Sequence, residues 1–227
     1  MSVAAPLAAP PPVRRRTAAG AVSKPPALGG VSWDDYVRFR DDPANEGVRL
    51  TYDQPSGRLE VGMPLGERHE NVSRLLAALL FTFARVRRIP VKPVGSTTWR
   101  QSGVGGVEGD EAFYVTRFEE ARGRIGNVPD LDGGDVPPDL IIEVDVTSPG
   151  VDKLPIYAGI GVSEVWVWQE DAITAYRLGD EGYQIVEQSV ELPGFPLAFA
   201  AELAANRSDA ATFELEEAFA ERLRAAD

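Results

Sequence analysis

The run Asp139-Leu140-Ile141-Ile142-Glu143-Val144-Asp145-Val146 places three carboxylates in a stretch of strand-forming residues. Side chains alternate across a strand, so Leu140, Ile142, Val144 and Val146 share an apolar face, and Asp139, Ile141, Glu143 and Asp145 share the other. Burying the second face without counter-charge would be very costly. Either the strand is an edge strand with its acids in water, or the acids meet basic side chains or a cation. Lys153 follows at the start of a helical stretch, one turn before Tyr157, within reach of the strand's carboxylates. An ammonium in that place can orient or deprotonate a water and steady charge developing on phosphorus. A second acidic run, Glu108-Gly109-Asp110-Glu111, opens the strand Ala112-Phe113-Tyr114-Val115. If the two strands pair, Asp110 and Glu143 can share one Mg²⁺, with positions left for water and a phosphate oxygen. Glu108 and Glu111 are expected in solvent.

The elements that must position these groups are legible from periodicity. Ser32 caps a short helix carrying Trp33, Tyr36, Val37 and Phe39, which Asp41-Asp42-Pro43 ends. Val48 to Tyr52 and Arg58 to Met63 flank Asp53-Gln54-Pro55-Ser56-Gly57 and read as a hairpin. From Glu67 to Arg88, Val72, Leu75, Leu76, Leu79, Leu80, Phe83 and Val86 fall at helical spacing, with His69 on the same stripe in the first turn. Strands are expected at Val91 to Val94, Thr97 to Arg100, Glu111 to Thr116 and Leu140 to Val146, with a short helix near Phe118 to Arg122. A helix from Asp152 to Gly159 tolerates Pro155 in its first turn. Val165 to Trp168 and Ile173 to Leu178 form a second hairpin turned at Glu170-Asp171, and a terminal helix starts near Ala210.

Composition limits the chemistry. The 227 residues contain no cysteine and one histidine, which excludes thiolate zinc sites, cysteine nucleophiles and a His-rich metal cage. A metal must then rest mainly on carboxylates, which favours Mg²⁺ or Mn²⁺. The formal charge of −12 is unusual for a protein that holds a phosphate backbone and requires any basic strip to be local. Residues 1–31 have no acid and six prolines, and are expected to form a disordered tail whose Arg14-Arg15-Arg16 could touch nucleic acid or a partner. A domain over 32–200 and a helical extension over 201–227 complete the expected organisation. No run approaches a membrane span and no signal-peptide pattern is present, so a cytoplasmic protein is expected.

In order along the chain, Gly57-Arg58-Leu59-Glu60-Val61, His69-Glu70, Gly95-Ser96-Thr97-Thr98 and Glu108 to Tyr114 are followed by the longest match, Pro137-Pro138-Asp139 to Pro149. It continues through Lys153-Leu154-Pro155-Ile156-Tyr157 and Gly161-Val162-Ser163-Glu164-Val165-Trp166. This series resembles the Uma-type putative restriction endonucleases of the PD-(D/E)XK nuclease-like superfamily, over roughly residues 32–180. The resemblance implies an α/β fold with a mixed central sheet flanked by helices, here with an added N-terminal β-hairpin. It implies Asp110 and Glu143 as metal ligands, DNA as substrate, and a homodimer. Two departures stand out: Gly109 replaces the proline that normally precedes the first aspartate, and Asp145 stands where a lysine is expected. Lys153 is the substitute on the next helix. Glu60 and His69 also match and could line the same cleft, His69 as general base, phosphate contact or hydrogen-bonded core residue. Asp139 could support the site or cap the strand. Tyr157, Trp166 and Trp168 are expected in the core.

The leading expectation is thus a Mg²⁺- or Mn²⁺-dependent endonuclease in which Asp110, Glu143 and Lys153 do the chemistry. The alternative is a catalytically silent nuclease-like module that binds nucleic acid or a protein partner. Sugar hydrolysis by two carboxylates is weaker, since nothing signals a carbohydrate cleft.

Overall fold

The computed structural model describes residues 25–123, 129–144, 152–206 and 210–225. Asp145 and the end of its predicted strand lie outside them. In chain order the elements are β1 (Ala27–Leu28), α1 (Trp33–Asp41), β2 (Leu50–Asp53), β3 (Arg58–Val61), α2 (Glu67–Arg87), β4 (Lys92–Pro93), β5 (Thr98–Gln101), β6 (Gly105–Glu108) and β7 (Glu111–Tyr114). They continue with α3 (Phe118–Ala121), β8 (Leu140–Val144), α4 (Leu154–Ile160), β9 (Glu164–Gln169), β10 (Ala172–Gly179), β11 (Gly182–Val186), α5 (Leu197–Ala205) and α6 (Thr212–Ala225).

The strands form two sheets. One has the order β11-β10-β9-β8-β7-β4, and the other β1-β3-β2-β6-β5. In the first, β8 runs parallel to β9 and antiparallel to β7, making the sheet mixed. A parallel pair needs a crossover, and α4 lies in it. The hairpin expected at the N-terminus, β2–β3, forms as read but is extended on both sides. β6 pairs with β2, and Ala27–Leu28, within the stretch expected to be tail, pair with β3. Glu170 and Asp171 turn β9 into β10 with left-handed φ of 50° and 62°, the geometry that suits a two-residue hairpin turn.

β8 is a central strand, which removes the edge-strand reading of its acids. Its Leu140, Ile142 and Val144 enter a core built with α2, α5 and α6, through residues such as Leu76, Leu80, Ala201 and Phe219. On the opposite face Ile141 joins a second core with Ala112, Val165, Ile156 and Tyr157, to which Trp99 and Val107 of the other sheet contribute. A third, smaller core of Tyr36, Leu50, Tyr52 and Leu59 seats α1 on the five-stranded sheet. α1 begins as expected, Ser32 Oγ accepting from the Asp35 N–H at 3.1 Å. Trp166 and Trp168 are core residues.

Candidate active site

Alternation along β8 sends Glu143 to the same face as Ile141, toward α4 and the second sheet. Asp110 sits in the two-residue link between β6 and β7 and brackets Glu143. Its backbone N–H donates to the Ile142 carbonyl at 3.2 Å, and its Oδ2 accepts from the Val144 N–H at 2.8 Å. The carboxylate thereby takes the place of a backbone acceptor at the end of the β7–β8 ladder. Gly109 makes the close approach possible: a Cβ there would lie 2.6 Å from Ile141 Cγ2. The proline absent at this position would meet the same atom.

Lys153 is the residue at the mouth of α4, and its Nζ donates to Glu143 Oε1 at 3.0 Å, Glu143 Oε2 at 2.9 Å and the Glu108 carbonyl at 3.0 Å. One turn on, the Tyr157 hydroxyl donates to Glu143 Oε1. Burial and the Glu143 charge push the Tyr157 phenol well above its ordinary value, so it stays a donor. His69, carried by the first turn of α2, places Nε2 3.1 Å from Asp110 Oδ2. Its Nδ1 is buried with no hydrogen-bond partner among the described residues.

The two carboxylates are pushed in opposite directions. For Asp110, burial opposes ionisation, but the His69 hydrogen bond and the fields of Lys153 and Arg49 outweigh it and hold the carboxyl well below the usual carboxylate range. For Glu143, burial raises the value, Lys153 opposes this, and the nearby Asp110 charge adds to the rise. Such a divergence between neighbouring acids is characteristic of functional sites.

The sequence-predicted residues thus divide. Asp110, Glu143, Lys153 and His69 come together from four elements. Glu60 is buried on β3 opposite Thr51, on the face of the sheet that also carries Arg49. Asp139 is elsewhere: its Oδ2 accepts from the Val115 and Arg117 N–H groups at 2.7 and 2.8 Å, so it fastens the chain leaving β7. Asp145 lies outside the described residues. Glu108 and Glu111 depart from the expected solvated state, being 6% and 4% exposed. Thr98 Oγ1 donates to Glu108 at 2.7 Å with Arg40 3.5 Å away, and Arg74 pairs with Glu111 at 2.6 Å.

Two site residues escaped the sequence. Tyr157 follows Lys153 by one helical turn, a spacing that puts both on Glu143. Arg49, at the entry to β2, donates from Nη2 to Asp110 Oδ1 at 2.9 Å across the gap between the sheets; no local pattern marks it.

The donor chemistry suits a hard divalent cation. Two carboxylates, one from the β6–β7 link and one from β8, are a usual complement for Mg²⁺, which takes its remaining positions from water and phosphate oxygen. Among the described residues no three Asp, Glu or His side chains gather as a ready-made cage.

A family model described as putative restriction endonuclease, Uma2, matches residues 33–206. The fold is similar to the crystal structure of a putative nuclease belonging to DUF820 from Anabaena variabilis. The TM-score is 0.51 at 14% identity, covering 83% of this chain and 99% of that one. No functionally curated protein matches. Among the described residues, no helix is long and apolar enough to cross a membrane.

Proposed function

We propose that this chain, which belongs to the Uma2 family of putative restriction endonucleases, is a Mg²⁺- or Mn²⁺-dependent endonuclease that hydrolyses DNA phosphodiester bonds. The observation that carries the reading is the convergence on Glu143. Lys153 bonds both of its oxygens, while Asp110 is held by the residues on either side of it. Each buried carboxylate has its own cation, Arg49 for Asp110 and Lys153 for Glu143; two such pairs set side by side, with the acids pushed in opposite directions, support a functional role for the cluster.

Asp110 and Glu143 would hold the ion. When bound, it supplies charge that polarises a phosphate oxygen and makes water a better nucleophile. The chain's own groups do the rest. Tyr157 and Lys153 fix the orientation of Glu143, and His69 and the Val144 N–H fix that of Asp110. The Lys153 ammonium, whose donors hold Glu143 and the Glu108 carbonyl, would offset negative charge on the phosphate as it builds. The homodimer implied by resemblance belongs to the same reading, since two copies would offer one site to each strand of a duplex.

The deciding experiment is cleavage of a plasmid and of an oligonucleotide with Mg²⁺ or Mn²⁺, comparing wild type with Glu143→Ala and Lys153→Ala. Loss of cleavage in both variants is expected, and equal activity in all three proteins would overturn the assignment. The silent-module reading draws on the saturation of both carboxylates by protein donors. It predicts metal-independent binding to DNA or a partner protein, with no cleavage by wild type.

A further inference from the structure

Arg49 is built into the site from the second sheet. Its carbonyl accepts from the Gly62 N–H at 2.8 Å, and a Cβ at Gly62 would stand 2.9 Å from Arg49 Cβ, so the bare glycine admits the arginine at this position. From there the guanidinium crosses to the link between β6 and β7. Nη2 lies 2.9 Å from Asp110 Oδ1 and 3.3 Å from the Gly109 carbonyl, and Nε lies 4.0 Å from Glu108 Oε2. Asp110 Oδ2 is already taken by His69 and the Val144 N–H, so among the described residues Oδ1 is the oxygen that Arg49 alone holds by a side-chain bond. The Arg49 side chain keeps 26% of its surface exposed, which leaves it a flank facing solvent.

We propose that Arg49 is an internal competitor for the divalent cation: it occupies Asp110 until nucleic acid enters, and phosphate then draws it off, so that metal loading is coupled to substrate binding. The inference rests on the proposed metal-dependent nuclease reading. A guanidinium and a divalent ion on one carboxylate repel each other, so either weakens the other's hold. The planar fork of arginine also matches the oxygens of a phosphate, giving Arg49 an alternative partner of the same charge as the one it leaves. An arginine that only stiffened Asp110 would instead prepare the carboxylate for the ion. The two roles predict opposite effects of its removal on metal affinity.

Mn²⁺ affinity of the full chain, read by electron paramagnetic resonance, separates them. It is measured for wild type, Arg49→Gln and Arg49→Lys, without and with a duplex whose phosphorothioate backbone resists cleavage. Arg49→Gln is expected to bind Mn²⁺ about tenfold more tightly than wild type without duplex, a coupling of ordinary size for linked sites. Duplex is expected to tighten wild type by about the same factor and Arg49→Gln by about twofold at most. Arg49→Lys, which keeps the charge, should resemble wild type without duplex. If Arg49→Gln binds no more tightly while Asp110→Asn abolishes binding, Arg49 only positions Asp110; the coupling is overturned and the nuclease reading stands. Absence of Mn²⁺ binding by wild type with and without duplex overturns both. Should Arg49→Gln melt below the assay temperature, wild type decides, and a duplex that leaves its Mn²⁺ affinity unchanged refutes the coupling.

Discussion

The Asp110 carboxylate accepts a hydrogen bond from the Val144 N–H at 2.8 Å and is also held by Arg49 and His69, so its charge is part of what closes the β7–β8 ladder. Glu143, next to Val144, carries its charge at a cost, since burial and Asp110 both raise it. Unequal stability losses follow for two conservative changes measured without metal. Asp110→Asn leaves Arg49 with a buried neutral partner and sets an amide donor against other donors. A loss of ~3 kcal/mol is expected, as for breaking a buried pair, lowering the melting temperature by roughly 6–12 °C in a chain of this size. Glu143→Gln also breaks a pair, with Lys153, and keeps one acceptor oxygen in place of two, but it removes a charge that burial and Asp110 both disfavour and should therefore cost less than Asp110→Asn. Thermal unfolding in chelator checks the order; an Asp110→Asn protein as stable as wild type would contradict it.

Gly109 is demanded by Ile141. Adding a methyl group in Gly109→Ala sets it 2.6 Å from Ile141 Cγ2 in a closed core, and overpacking of this kind typically costs about 1–3 kcal/mol. Ile141→Ala costs stability by itself through the cavity it leaves, but it also removes Cγ2. The pair should therefore be non-additive, Gly109→Ala costing at least about 1 kcal/mol less in the Ile141→Ala background. Urea unfolding of the four proteins measures the coupling, and additive costs would show that the contact is relieved elsewhere.

How far the sequence reaches is visible in these residues. The stripe of α2 and the alternation of β8 are local periods, so they could be read directly, and they placed His69 and Glu143 correctly on their elements. The pairing of β7 with β8, the condition on which a shared Asp110–Glu143 site depended, is present through Glu111↔Ile142 and Phe113↔Leu140. The second sheet was only half legible because β6 is Gly105-Gly106-Val107-Glu108, two glycines with little intrinsic preference for a strand. Its conformation comes from the partners β2 and β5, and Gly106 is needed because a Cβ there would collide with the Tyr36 hydroxyl. Arg49 was invisible for a related reason: its partner is 61 residues away on the other sheet. The burial of Glu108 follows from the same convergence, with Thr98, Arg40 and Arg49 arriving from three elements.

Asp139 provides the control that separates fold from chemistry on one strand. It is 1% exposed and caps the Val115 and Arg117 N–H groups, away from the Lys153 and Asp110 convergence. Asp139→Ala strands those donors, and a loss of about 1–3 kcal/mol is expected. The folded fraction should keep wild-type Mn²⁺ affinity, in contrast to Asp110→Asn. Unfolding curves and metal titration on the same preparation test this, and weakened metal binding at full folding would place Asp139 in the site.

A pH effect is expected from Glu191, whose carboxyl is raised by burial against the opposing hydrogen bond from Thr116 at 2.7 Å. An acid raised in the folded state binds its proton more tightly there than in the unfolded chain. Stability from this group is therefore present at low pH and lost as pH rises from the unfolded value through the folded one. Glu191→Gln removes the penalty and should be more stable than wild type near pH 7, the difference shrinking as the pH falls below the ordinary glutamate range. Melting temperatures across pH 4–8 would show converging curves; parallel ones would mean that the substitution acts through packing.

Tyr157 tests whether the donor set on Glu143 serves the chemistry. The residue is fully buried in the second core, and Tyr157→Phe keeps its ring while removing the hydroxyl that donates to Glu143 Oε1. Loss of one hydrogen bond to a charged group is expected to cost about 1.5–3 kcal/mol at most, so the fold survives. Among the described residues Glu143 is then left to Lys153 and can rotate. A displaced ligand affects the transition state more than it affects substrate binding, so kcat should fall by roughly tenfold to a hundredfold with little change in KM. Steady-state cleavage kinetics distinguish this from the structural alternative: unchanged kcat in a folded Tyr157→Phe protein would assign the hydroxyl to the core alone.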